Sequence, residues 1–255
     1  MTLLIAAKSG YRLKPNGTNF IFEPGIVIAA DSRLSYSDGT YVDDGLKVDK
    51  TGPYGICGMS SDSIDIPTKA FHFFDAFMGE NPTISSVKAA KRLQAFLKNA
   101  HTNSTSRNEV KRIKTSAFFG HMDPSTNRFS LYILDSENQF LPQERECLNA
   151  AGSHANWVFE SFYRIRYEYP TCKLHPFDGF PDNKVPVRDG LAVLIIALVN
   201  AALNVAVVDE IITNCRQGIG GNAQAMILTA TGPVAFRPQL HNMLRAWQIY
   251  SNFLG

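Results

Sequence analysis

The order of elements along the chain predicts an α+β protein of two packed β-sheets covered by helix pairs, an αββα sandwich of four layers. Two observations carry that expectation. Short apolar runs of strand length come in groups, and two pairs of helical patterns separate the groups. No linker or break in composition divides the 255 residues, so the chain reads as one domain over 1–255.

Residues 3–8 are short and apolar, as a buried strand requires. Residues 9–24 are rich in Gly, Pro, Asn and Lys and form an extended hairpin loop, and 25–30 return as a second buried strand ending at Asp31. Residues 41–49 and 55–59 make another strand pair, with Lys50-Thr51-Gly52-Pro53 as the turn. Pro67 opens a helix on which Ala70, Phe71, Phe74 and Phe77 repeat at helical spacing. A second helix over 83–101 places Val87, Ala90, Leu93, Phe96 and Leu97 on one face. Strands at 115–121 and 129–135 join through an Asp123-Pro124 turn. Residues 153–167 and 187–213 form the second helix pair, separated by a Pro-rich loop. A closing hairpin, 223–230 and 234–236, turns at Thr231-Gly232-Pro233, and an amphipathic helical extension lies near 238–255.

Composition narrows the function. Hydrophobic residues make up 45% of the chain, enough for a core without staples. The formal charge of +2, from 25 basic and 23 acidic residues, gives no electrostatic reason for a nucleic-acid or membrane-surface partner. The basic residues within 88–98 read as a solvated helix face, and those within 107–114 as a polar loop. Cys57, Cys147, Cys172 and Cys215 form no CxxC and no disulfide framework, and the histidines have no metal-ligand spacing, so no metal or cofactor is expected. The N-terminus lacks the layout of a secretory signal. Residues 191–208 are almost wholly apolar, yet Asn200 and Asn204 lie a helical turn apart within them and charges flank them closely, which reads as a helix buried in a globular core. The cytoplasm is the expected compartment.

The chemistry begins at Met1-Thr2-Leu3. Removal of an initiator methionine before a small residue leaves Thr2 with a free α-amine beside its own hydroxyl. An α-amino group of pKa about 7.7–8.0 is a base near neutral pH, and threonine with its own terminal amine is an activated nucleophile. Downstream, Gly25-Ile-Val-Ile-Ala-Ala-Asp31-Ser32-Arg33 is a strand ending in a charged cluster. Lys47 follows in Gly45-Leu46-Lys47-Val48, and then comes Gly55-Ile-Cys-Gly58-Met-Ser-Ser-Asp62.

This series resembles the β-type subunits of the proteasome and their bacterial relatives, which are N-terminal-nucleophile hydrolases. There a strand ending in Ala-Ala-Asp-Ser-Arg precedes a Lys-hydrophobic pair and a Gly-x-x-x-Asp turn, with the same separation of Asp from Lys. Tyr132-Ile-Leu-Asp135, Ala150-Ala151-Gly152-Ser153 and Gly218-Ile219-Gly220-Gly221 extend the likeness to about Phe236.

The resemblance implies a threonine-type peptidase that cleaves amide bonds through an acyl-enzyme at Thr2. It implies that Lys47 lies beside the hydroxyl, that Asp31 pairs with Lys47, and that the Gly58 N–H serves the oxyanion. Ser153 is implied to hydrogen-bond near the terminal amine, with Arg33 as a structural neighbour. Leu34, Gly45 and Ile56 match positions lining the specificity pocket, for a hydrophobic substrate side chain. A ring-shaped homo-oligomer is implied, and an unfoldase partner is left open. Other readings stand beside these: Asp31 and Lys47 as a strand-end ion pair, Gly58 as a turn glycine, Ser153 as a helix cap. His154 follows Ser153 where the family has a small residue, and adjacent side chains rarely face each other.

Two departures stand out. The hairpin through 11–24 is longer than the family's. The late turn normally supplies an Asp and a Ser that support the terminal amine, and here those positions are Arg216 and Ile219. A non-catalytic ring-forming assembly protein of the same fold, and a small-molecule amidase or acylase, are the alternative functions.

Overall fold

Strands that are apolar on both sides need cover on both faces of their sheet, and the first strands are used that way. The computed structural model describes residues 2–9, 25–35, 40–42, 45–107, 113–145, 149–158, 160, 199, 202–203, 206, 212–213 and 219–236. In chain order the elements are β1 (Leu3–Ser9), β2 (Gly25–Asp31), β3 (Leu34–Ser35), β4 (Tyr41–Val42), β5 (Val48–Lys50) and β6 (Gly55–Ser61). Two helices follow, α1 (Asp65–Glu80) and α2 (Ser86–Arg107). Then come β7 (Thr115–Asp123), β8 (Arg128–Asp135), β9 (Gln143–Arg145), β10 (Asn149–Gly152), β11 (Ala223–Thr229) and β12 (Gly232–Phe236).

Two five-stranded antiparallel sheets result, in the orders β10-β1-β2-β11-β12 and β5-β6-β7-β8-β9, with β3-β4 as a separate short pair. The described residues thus form a mixed protein of the expected α+β class. Side chains alternate across each strand, which sorts the core. On one face of the first sheet, Leu3, Ile5, Val27, Ala29, Ala225 and Ile227 pack against Val158, Val199, Ala202 and Ala206. On its other face, Leu4, Ile26, Ile28 and Leu228 meet Val48, Ile56, Phe118 and Leu131 of the second sheet. The far face of the second sheet, with Cys57, Met59, Ala117 and Phe119, is covered by Ile66, Phe74 and Met78 of α1 and Ala90, Leu93 and Leu97 of α2.

The expected strand over 41–49 is corrected to two. Tyr41 pairs with Ser35 in one sheet and Val48 with Gly58 in another, so the chain changes partner before Lys47. Pro67 lies in the first turn of α1, where its missing N–H costs nothing. On α2 the buried face is Ala89, Ala90, Leu93, Leu97 and Ala100, while Val87, expected inside, is 55% exposed. From the apolar stretch over 191–208, Val199, Ala202, Leu203 and Ala206 are helical and buried in the core. Among the described residues, no helix is long and apolar enough to cross a membrane. Most of the 9–24 loop, residues 161–167, most of 187–213 and the 238–255 extension lie outside the described residues.

Candidate active site

The polar centre of the molecule is Asp31, a carboxylate at the last position of β2 with no exposed surface. Its Oδ1 accepts the Leu3 N–H at 2.8 Å. Its Oδ2 accepts from Lys47 Nζ at 3.0 Å, the Gly220 N–H at 3.1 Å and the Arg33 N–H at 3.2 Å. Burial is the largest influence on this carboxyl and pushes it above its ordinary value, against the pull of the Lys47 ammonium and the N–H donors. Lys47 is itself only 3% exposed. A buried charge of either sign is tolerable only when it is paired and hydrogen-bonded, and each of these two is the other's counter-ion.

Thr2 precedes the residue held by Asp31 Oδ1, so one carboxylate ties the chain next to Thr2 to the Lys47 ammonium. The Thr2 carbonyl is held separately: the Ser60 hydroxyl and the Ser153 N–H each donate to it at 3.2 Å. Gly152, opposite Leu3 in the register of β1 and β10, has φ +88°, and a Cβ there would collide with the Thr2 carbonyl. Glycine is demanded twice at that position, by the left-handed backbone and by the close approach.

The late turn reaches Asp31 through its backbone. The Gly220 carbonyl accepts from the Arg33 N–H, the Ile219 carbonyl from Arg33 Nη1, and the Ser32 hydroxyl from the Asn222 N–H. Arg33 packs over Gly220 and its guanidinium stacks 4.3 Å from the Tyr41 ring centroid. Ile219 is buried in the core beneath the first sheet, so its side chain offers the site nothing polar. Arg216 lies outside the described residues.

Of the residues singled out by sequence, Thr2, Asp31 and Lys47 are brought together by this network. Ser153 joins through its N–H. Two are not where they were expected. Gly58 lies inside β6 between Val48 and Phe118. The Met59 N–H donates to the Lys47 carbonyl on the β5 side; N–H directions alternate along a strand, so the Gly58 N–H faces β7 and not the site. Its missing side chain serves the core, since a Cβ would come within 2.7 Å of both Ile28 Cγ2 and Leu4 Cδ1. Ile56, expected at the specificity pocket, is fully buried in the core between the sheets and exposes no surface among the described residues. Leu34 and Gly45 do meet, with Leu34 filling the space a Gly45 side chain would need. His154 has φ 64° and lies in the turn before the helical residues 155–158, where its carbonyl accepts the Val158 N–H.

Three participants were missed in the sequence. Ser60 and Gly220 stand within stretches that carry the resemblance, but the sequence assigned neither of them a role. Gln224 did leave a signal: it is a polar amide between two alanines at the start of a strand whose next residues are apolar. Among the described residues no cluster of His, Cys, Asp and Glu is placed to hold a metal. Cys57 is fully buried, which pushes its thiol up and leaves it inert. The chain matches no protein-family model and no curated protein.

Proposed function

We propose that this chain is a threonine-type N-terminal-nucleophile hydrolase that cleaves amide bonds through an acyl-enzyme at Thr2, on a four-layer αββα fold. The observation that carries the reading is the Asp31 carboxylate, which bonds the Leu3 N–H with one oxygen and Lys47 Nζ with the other. That bridge joins a cation to the residue after the candidate nucleophile, deep in a site of low dielectric. Apolar cores on both faces of the first sheet, one against helical residues and one against the second sheet, support the layered fold.

In this reading Thr2, freed of Met1, attacks a substrate carbonyl with its Oγ1 while its own α-amine takes the hydroxyl proton. The Lys47 ammonium favours the developing alkoxide and disfavours protonation of the amine. Collapse of the tetrahedral intermediate passes a proton to the leaving amine, and water then releases the acid from the ester. The oxyanion donor is the Ser61 N–H. It stands two residues beyond Met59 and so faces the β5 side, and β5 begins only at Val48, opposite Gly58. Thr2→Ala tests the proposal, since it removes the Oγ1 and leaves the α-amine in place. Turnover of peptide or acyl-amide substrates disappears with it, and an unchanged rate rejects the mechanism.

One observation favours a second reading, a non-catalytic ring-forming protein of the same fold. Ile219, apolar and buried, replaces a hydroxyl that supports the terminal amine in the family resembled. That protein takes no acyl group at Thr2.

A further inference from the structure

Among the described residues the core between the two sheets is built of apolar side chains, with polar groups at one edge. There, among the described residues, three polar ties cross or flank it: Lys47 to Asp31, Ser60 to the Thr2 carbonyl, and the side chain of Gln224. Gln224 stands opposite Ala30 in the pairing of β11 with β2. Met226 and Leu228, next on the same face of β11, belong to or pack against the core between the sheets.

A primary amide offers two donor hydrogens and two acceptor lone pairs, and Gln224 uses all four. Its Nε2 donates to the Gly45 carbonyl at 2.8 Å and the Asp31 carbonyl at 3.3 Å. Its Oε1 accepts the Lys47 N–H at 3.1 Å and the Val48 N–H at 3.4 Å. All four partners are main-chain groups whose donor or acceptor character is fixed, so the orientation of the amide is determined. The segment it holds is the one that leads into β5, where the Gly45 N–H donates to the Ser32 carbonyl and the Lys47 carbonyl accepts from the Met59 N–H.

We infer that Gln224 is a positioning residue that sets where Lys47 stands relative to Asp31 and Thr2. The inference rests on the hydrolase reading above. Gln224 touches neither substrate nor reacting atoms; it acts through the backbone of Lys47 and through the carbonyl of Asp31. Only an amide satisfies this set. A glutamate accepts from both N–H groups but cannot donate to two carbonyls, and it brings a second carboxylate to the Asp31–Lys47 pair. A methionine of similar length leaves two N–H groups and two carbonyls unpaired.

The test follows acylation of Thr2 by a β-lactone, read as intact mass against time, probe concentration and pH, for the wild type, Gln224→Glu and Gln224→Met. In both variants the limiting acylation rate falls about tenfold or more while half-saturation by the probe holds. In Gln224→Glu the acid limb of the pH profile also moves upward, because the added negative charge stabilises protonated amines nearby. Amide exchange at Lys47 and Val48, measured in parallel on Gln224→Met or, if that variant does not fold, on Gln224→Glu, accelerates beyond that of the remaining β5 and β6 amides. A folded variant with wild-type limiting rate and pH profile overturns the positioning role, whatever its melting temperature, and leaves the hydrolase reading standing. A wild type that takes no probe at Thr2 overturns the hydrolase reading, and the positioning role with it.

Discussion

Asp31 and Lys47 are 16 residues apart in sequence and meet with Nζ 3.0 Å from Oδ2, their side chains 0% and 3% exposed. Neither partner has water to fall back on, so removal of one strands the other. Lys47→Met leaves Asp31 without its ion-pair partner and costs about 3–5 kcal/mol. The double variant Asp31→Asn, Lys47→Met recovers a large part of that loss, since exchanging a buried pair for neutral groups is far cheaper than breaking it. Urea unfolding of the single and double variants measures the coupling; additive losses contradict it.

Gly152 and Gly79 make a contrasting pair. At Gly152 an added methyl meets a positive φ and the Thr2 carbonyl, whereas at Gly79, inside α1, it meets nothing within 4 Å among the described residues outside its own helix. Gly152→Ala therefore costs at least about 1–3 kcal/mol and displaces Thr2, slowing its acylation. Gly79→Ala gains up to about 1 kcal/mol from helix propensity and leaves acylation unchanged. Melting curves and the acylation time course of each check both halves.

Ser60 supports Thr2 from the second sheet through one hydroxyl hydrogen bond to its carbonyl. Ser60→Ala loses about 1 kcal/mol and leaves that carbonyl with the Ser153 N–H. The expected outcome is a modest fall in stability with an acylation rate reduced about tenfold, a 1.4 kcal/mol effect on the barrier. A rate equal to that of the wild type removes Ser60 from the site.

His121 contributes to the acid side of the stability curve. It is fully buried in β7, with Nδ1 2.8 Å from the Ser86 hydroxyl and, among the described residues, no hydrogen-bond partner at Nε2. Burial pushes its pKa down from 6.5 to about 4, only partly offset by Asp123. Between those values the unfolded chain binds a proton that the folded chain refuses, so the contribution is present above about pH 6.5 and is lost as pH falls toward 4. The loss is on the order of 3 kcal/mol. Urea midpoints measured across this range fall for the wild type and fall less for His121→Gln; parallel curves contradict the assignment.

The strands and helices were legible where one face or both faces are apolar, as in β1, β2, β6 and α1, because burial then fixes the period. The change of sheet between Tyr41 and Val48 was not legible: hydrophobic pattern does not say when a strand changes partner. For the candidate site, the spacing of Asp31 and Lys47 and the position of Thr2 were readable, since those side chains carry the charges and the candidate nucleophile. Gly58 misled because a glycine needed for close packing between sheets looks the same as one needed for access to a backbone N–H. Ser60 and the Gly220 N–H act through the main chain, either on it or as part of it, and such contacts leave little mark on residue identity.

Whether Thr2 is an activated nucleophile is measured most directly by the intact mass of the purified chain before and after exposure to a β-lactone that acylates N-terminal threonine. The expected result is a chain lacking Met1 that gains one probe mass, located at Thr2 by fragmentation and lost in Lys47→Met. A chain that has lost Met1 and takes up no probe, or that takes it up elsewhere, contradicts it.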